Sequence, residues 1–295
     1  KAPGLIGSSS LFLIGTVMLM VGFAFKVSLF PFHSWTPDVY QGAPTPVSAM
    51  MSTAVKAVSF AAFLRMMVGI GPIESHLFIN LLEVLAVLTM LVGNFGALIQ
   101  KNLKRMLAYS SIAHSGYLFV GLIAVSTTKS AGGALFGTTS IVFYLVGYTI
   151  MTFGAFAFVS LLERTENTEV KVDELGGLPS RRPFLALGLT LFLLSLAGLP
   201  PTIGFFGKFY LFSAAIDQGY MGLAIWGVLN SVLSVYYYLR PIVAMYMREG
   251  ELTFPKFSNW GTTGLVIAAM ILVVLLGIVS GQIYNSIEIT LRAGM

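Results

Sequence analysis

Two stretches of this chain, Leu11–Phe25 and Leu265–Val279, carry no charged residue at all. Runs of this kind decide what solvent surrounds a fold. About 20 mostly apolar residues cross the ~30 Å hydrocarbon core of a bilayer as one helix. Similar stretches recur along the sequence. Of its 295 residues, 56% are hydrophobic and 10% are charged, whereas a soluble domain carries about 25% charged residues. In lipid the backbone must satisfy its own hydrogen bonds, which leaves helices or closed barrels. The alternating pattern of barrel strands is not present in the sequence. The expected fold is therefore all-α, a polytopic transmembrane helix bundle forming a single domain over residues 1–295.

Length and polarity place eight spans, at Ser9–Phe30, Pro46–Met67, Leu77–Ile99, Met106–Val125, Leu135–Leu162, Phe184–Ala215, Met221–Met247 and Thr262–Tyr284. Two of them are discontinuous. The first runs into Leu29-Phe30-Pro31-Phe32, and the sixth contains Gly198-Leu199-Pro200-Pro201-Thr202-Ile203-Gly204. Proline removes a backbone donor and disfavours helix in the residue before it, so both helices should break there. The polar segment 163–183 reads as a loop on the cytoplasmic side, too short for a soluble domain. The chain opens on Lys1 with a span close behind and no signal-peptide pattern, and we expect further chain upstream.

The net charge of +5 does not point to nucleic acid, because most basic residues lie between spans. Lys101, Lys104, Arg105, Arg164, Lys171, Arg181, Arg182, Arg248 and Lys256 fall on loops of one side, and few face the other. The positive-inside rule assigns the first group to the cytoplasm and the C-terminus to the periplasm, with the bacterial cytoplasmic (inner) membrane as the expected location. With no cysteine and three scattered histidines, thiolate-held clusters and disulfides are excluded, and no metal or redox cofactor is expected on this chain.

A few charges stand where charge is expensive. Lys56 is about ten residues into its span, ~15 Å deep at ~1.5 Å per residue, where insertion of a lysine costs about 2.5–3.5 kcal/mol. Lys208 lies between Phe205-Phe206 and Phe209-Tyr210 with no acidic neighbour in sequence. Lys26 closes the first apolar run. The alternative for each is a lysine snorkelling to the interface, which the depth of Lys56 and the apolar flanks of Lys208 disfavour. His114 lies ~14 Å inside the fourth span; an imidazole ordinarily titrates near neutrality and can relay a proton. The bland reading is a neutral histidine bonded to a neighbouring helix. Tyr109, Ser110, Ser111, Ser115 and Tyr117 surround it with hydroxyls. His33, Glu83 and Lys104 are secondary candidates, each with an interfacial or turn-capping alternative. Residues 22–26, GFAFK, and 204–208, GFFGK, repeat one pattern beside a proline break. Matching broken helices of this kind point to an inverted-repeat transporter site.

Several segments resemble a known family. The stretch FKVSLFPFHSWTPDVYQGAPTPVSAMMSTAVK, from Phe25 to Lys56, is similar to the antiporter-like proton-channel subunits of NADH:quinone oxidoreductase, respiratory complex I. Trp35-Thr36-Pro37-Asp38-Val39-Tyr40 followed by Gly42 resembles the subunit N branch in particular. NLKRMLAYSSI from Asn102, GFFGKFY from Gly204 and YYYLR from Tyr236 follow in the family's order. The resemblance implies part of an inverted-repeat bundle of about fourteen helices, of which this sequence supplies the last eight. It implies proton translocation driven by quinone reduction in other subunits, which hold the flavin, the iron–sulfur clusters and the quinone. Lys26 would be the main switchable carrier, with Lys56 and His114 linking it inward and Lys208 nearest the terminal half-channel. The acidic partner of Lys26 would lie on a helix before Lys1. The implied partners are the other membrane-arm subunits, especially neighbouring antiporter-like and small membrane subunits, together with lipids. The alternatives are a subunit of a multi-subunit cation/proton antiporter, the photosynthetic complex I relative, and an inert membrane scaffold. The loop from Asp38 to Gly42 argues against the first, and the cost of buried lysines argues against the last.

Overall fold

The computed structural model describes residues 10–71, 73, 75–128, 130–163, 169–250 and 260–294. Every named element among them is helical. Among the described residues five helices are long and apolar enough to cross a membrane singly. The first expected span becomes α1 (Ser10–Lys26), which stops before the proline and is followed by the short α2 (Trp35–Gly42). The segment between them turns through Ser28 at φ 65° and a cis Phe30–Pro31 peptide. Trp35 Nε1 donates to Phe25 O at 3.1 Å and Phe30 N donates to Thr89 Oγ1 at 3.0 Å, so the break is tied down on both sides.

Helix α3 (Thr45–Ile70) contains one π turn, Met51–Val55, immediately before Lys56. It is followed by α4 (His76–Leu98), α5 (Leu103–Thr127) and α6 (Ala131–Leu162). Ser75, Asn102 and Ser130 start these three helices, each side chain accepting a backbone N–H three residues on. Helix α5 is the hub. Its membrane window is 94% buried, while the other four long spans are 39–61% buried. An all-round buried membrane helix can carry polar side chains on any face, and α5 carries Ser110, Ser111, His114 and Ser115.

The sixth expected span is two half-helices, α7 (Pro183–Ala197) and α8 (Ile203–Asp217), parted at Gly198–Thr202 where the two prolines stand. Helix α9 (Met221–Met247) follows, then α10 (Trp260–Ile278) and α11 (Ser280–Gly294). The expected last span, Thr262–Tyr284, is not one straight helix: the chain bends by 85° between α10 and α11, at Val279. The uninterrupted apolar run ends at that residue, and Ser280-Gly281 begins a polar segment with Gln282, Asn285, Ser286 and Glu288. Ser/Gly pairs are common kink sites. Helix α11 instead packs across α6, where the Tyr284 hydroxyl donates to Phe136 O at 3.0 Å. Of the polar segment 163–183, residues 169–183 fold back onto the bundle, burying Val170, Val172, Leu175 and Leu178 and pairing Lys171 with Asn102.

Candidate functional site

Lys56 projects from the turn after the π segment of α3 and is 2% exposed. Its ammonium donates to Ser111 O at 2.6 Å, Ser111 Oγ at 2.5 Å and Ser115 Oγ at 2.9 Å, all on α5. Three donors therefore meet three neutral acceptors. The Tyr148 hydroxyl on α6 donates to the same Ser111 Oγ at 2.9 Å, and its ring lies 5.7 Å from Lys56 Nζ.

His114, one turn further along α5, is 1% exposed. Its Nδ1 bonds the Tyr144 hydroxyl and its Nε2 bonds the Tyr238 hydroxyl of α9 at 2.9 Å. Tyr238 also bonds Ser110. A hydroxyl can donate or accept, so either tautomer of the ring is accommodated. The imidazole packs 5.1 Å from the Tyr148 ring on one side and 5.5 Å from the Tyr117 ring on another.

Lys208, in α8, is 4% exposed. Its ammonium donates to Leu196 O at 3.1 Å and Ala197 O at 2.9 Å, the carbonyls left open where α7 ends, and to Ser231 Oγ at 2.9 Å. The Tyr117 ring lies 5.1 Å from it. Lys56, Tyr148, His114, Tyr117 and Lys208 thus form one buried line that alternates a titratable nitrogen with a tyrosine. Among the described residues no carboxylate comes within ion-pair distance of either lysine.

The other sequence candidates lie apart from this line. Lys26 is exposed at the end of α1, so the described structure does not turn it toward the other two lysines. His33 is half-buried in the break after α1, stacked on Phe30 at 5.7 Å, with a buried Nδ1 that has no partner among the described residues. Glu83 is half-buried and lines a cavity of ≈ 550 Å³ with His76, Asn80 and Gln218, near the ends of α4, α8 and α9. Lys104 is buried at the opposite end, bonded to Ala43 O at 2.7 Å and 3.6 Å from Glu163 Oε1. Among the described residues no group of three or more His, Asp or Glu side chains is placed to hold a metal ion.

Residues 4–234 match the family model described as the transmembrane part of NADH:quinone oxidoreductase and Mrp antiporters. The chain belongs to this NADH:quinone oxidoreductase/Mrp antiporter family. It is 54% identical over 288 residues to NADH-quinone oxidoreductase subunit N of Bdellovibrio bacteriovorus, covering 98% of this chain and 59% of that protein. It is 45% identical over 313 residues to the subunit N of Myxococcus xanthus, covering 97% of this chain and 59% of that one. The chain therefore spans about three fifths of the length of these relatives. Among solved structures, a chain of respiratory complex I from Thermus thermophilus with bound aureothin superposes with a TM-score of 0.80 at 38% identity, covering 96% of this chain and 61% of that one. A chain of the Mrp complex from Dietzia shares the fold at 21% identity and a TM-score of 0.80, covering 96% of this chain and 59% of that one.

Within this antiporter-type bundle, sequence reasoning found the titratable groups and the serines around them, but not Tyr144, Tyr148 or Tyr238 as their partners. Tyrosines read as ordinary membrane aromatics until the helices are packed. A second polar link also went unread. Asn94 Nδ2 on α4 donates to Asn230 Oδ1 on α9 at 3.0 Å, and the Tyr237 hydroxyl donates to Asn94 Oδ1 at 3.0 Å. Asn94 and Asn230 each sit in an apolar run, and a mid-span amide is the signal that would have found them.

Proposed function

We propose that this chain is part of subunit N of NADH:quinone oxidoreductase, the proton-translocating membrane-arm subunit of respiratory complex I. In this reading it carries protons along Lys56, His114 and Lys208, driven by quinone reduction on other subunits. The observation that carries it is the buried line of three titratable nitrogens with the Tyr148 and Tyr117 rings packed between them. A buried amine costs several kcal/mol in lipid and gains nothing for a scaffold. Held by serine hydroxyls and carbonyls, each amine can take up or release its proton without breaking an ion pair. Arginine would fail there because it keeps its proton.

Lys26, exposed at the end of α1, is the carrier that would feed the line. Redox chemistry is assigned to other subunits and no cofactor to this one. Partners are the other membrane-arm subunits and lipids. The membrane is the bacterial inner membrane, with the basic loops on the cytoplasmic side. The test uses the full-length subunit in its assembled complex, in sealed membrane vesicles. Lys56→Ala is expected to reduce quinone-coupled proton uptake at least tenfold while NADH oxidation by an artificial acceptor continues. Proton uptake at the unmodified rate in a fully assembled Lys56→Ala, Lys208→Ala double variant would refute the reading.

A further inference from the structure

The basic end of the bundle holds a carboxylate that the line of lysines does not use. Glu163 follows the last residue of α6, and its side chain is 9% exposed. Thr45 Oγ1 donates to Glu163 Oε1 at 2.5 Å, and Lys104 Nζ lies 3.6 Å from the same oxygen while donating to Ala43 O at 2.7 Å. Three elements converge on it: the α2–α3 connection, the start of α5 and the end of α6. An outer, exposed set lies beside it, with Arg105 bridging Asp38 and Gln41, and Gln41 bonded to Glu169. The outer set meets solvent, whereas Glu163 sits beneath the surface with Lys104 as its countercharge among the described residues.

A column of hydroxyls descends from this pair. Along α3, Thr45, Ser48, Ser52 and Lys56 follow at spacings of three, four and four residues, and all four are 2% exposed or less. Those spacings put them on one face, with Cβ atoms about 5–6 Å apart. Ser48 Oγ donates to Tyr40 O at 2.7 Å and Ser52 Oγ to Ala49 O at 3.0 Å, so carrying a proton along the column requires each hydroxyl to turn from its carbonyl toward a bridging water. The opposite face of the same helix is apolar and outward, with Val47, Met50 and Val58 exposed by 44%, 58% and 70%. Helix α3 packs this half against α6, the helix that ends at Glu163.

We propose that Glu163, held by Lys104 and Thr45, is the proton-loading carboxylate of the basic face, and that the hydroxyl column of α3 delivers its proton to Lys56. This rests on the proton-carrying reading above. A hydronium at the basic face gives a proton to the Glu163 carboxylate and is left as water. The O–H bond of the resulting acid then breaks as the proton enters the column. Each hydroxyl gains a proton from the Glu163 side and releases its own toward Lys56, whose neutral amine takes the last one after passing its own inward. No electron moves, the carboxylate is restored, and Lys104 stays as standing countercharge. The competing role is a staple that only ties α6 to α5 and the α2–α3 connection.

The test measures proton uptake per NADH oxidised in sealed vesicles with the full-length subunit in the assembled complex. Glu163→Gln keeps the size and the acceptor for Thr45 but cannot be loaded, and is expected to lower uptake at least tenfold. Glu163→Asp should restore a substantial part. The neutral pair Lys104→Met with Glu163→Gln separates the two roles. A staple without charge recovers uptake, which overturns the proposal; a loading site stays impaired, which supports it. Ser48→Ala with Ser52→Ala removes the column without touching charge, and uptake at the unmodified rate would also overturn the route. Lys56→Ala in the same vesicles separates the two readings. If Lys56→Ala impairs uptake and Glu163→Gln does not, this inference alone fails; if neither impairs it, the proton-carrying reading fails.

Discussion

Gly204→Ala tests whether the junction of α7 and α8 sets the position of Lys208. A Cβ built on Gly204 lies 1.8 Å from Ser195 O and 2.8 Å from Ser195 C, whereas ordinary contact begins at 3.4 Å. The obstacle is backbone and cannot rotate away, so α8 must retreat from α7 by about 1.6 Å, more than a close-packed interior absorbs without strain. Lys208 is anchored to that same helix end, through bonds of 3.1 Å to Leu196 O and 2.9 Å to Ala197 O. A retreat of that size carries both beyond hydrogen-bonding distance. The flexible lysine stem recovers part of it, so the expected net loss is one of the two bonds. A hydrogen bond to a charged group is worth about 1.5–3 kcal/mol, which as a barrier change corresponds to a rate loss of about tenfold to a hundredfold.

The assay is proton uptake by sealed vesicles carrying the full-length variant, normalised to NADH oxidation by an artificial acceptor. Gly15→Ala, within α1, serves as the control, because a Cβ there meets nothing within 4 Å, and alanine in a helix is favoured over glycine by about 0.5–1 kcal/mol. Uptake by an assembled Gly204→Ala variant equal to that of Gly15→Ala would refute the argument that the half-helix junction fixes Lys208.

Lys208→Arg should abolish coupled uptake as fully as Lys208→Ala, because guanidinium does not release its proton; uptake above half the unmodified rate would contradict a carrier role. Asn94→Leu should loosen α4 from α9 by about 0.6–2 kcal/mol, the range for interhelical hydrogen bonds in membranes, seen as a lower thermal midpoint of the purified complex with the uptake ratio retained. Tyr284→Phe should leave α11 seated, because the ring stack on Tyr210 at 4.2 Å survives, whereas Tyr284→Ala should raise protease sensitivity after Ser280; equal sensitivity would show that stacking does not hold the helix.

Much of the helical order was legible because lipid leaves a chain few choices, and each apolar run between polar loops became a helix. The bend at Val279 was not, because hydropathy averages over a window while a Ser-Gly pair acts at one position. The titratable residues were legible one at a time, since a lysine at mid-span announces itself by its cost. Their arrangement was not, because Tyr148 and Tyr117 acquire meaning only when α5 and α6 are packed. Glu163 was hidden by its place in a polar segment, where a carboxylate reads as solvated.

The repeated Gly-Phe-x-x-Lys pattern shows how far such reading reaches. Lys26 precedes its proline break and Lys208 follows its own, so the two motifs stand on opposite sides of their prolines. Their surroundings in the described structure differ as well, one exposed and one buried. Yet both lysines belong to the same kind of place. Lys26 occupies the last turn of α1, and the Lys208 ammonium reaches back to the last carbonyls of α7. Each therefore stands at the negative end of an interrupted helix, where open carbonyls and the helix dipole favour a cation. An interrupted helix supplies this partial negative charge without a carboxylate. Lys208 is held in that way, by two carbonyls and a serine hydroxyl with no carboxylate in reach among the described residues, an arrangement that a structural ion pair lacks.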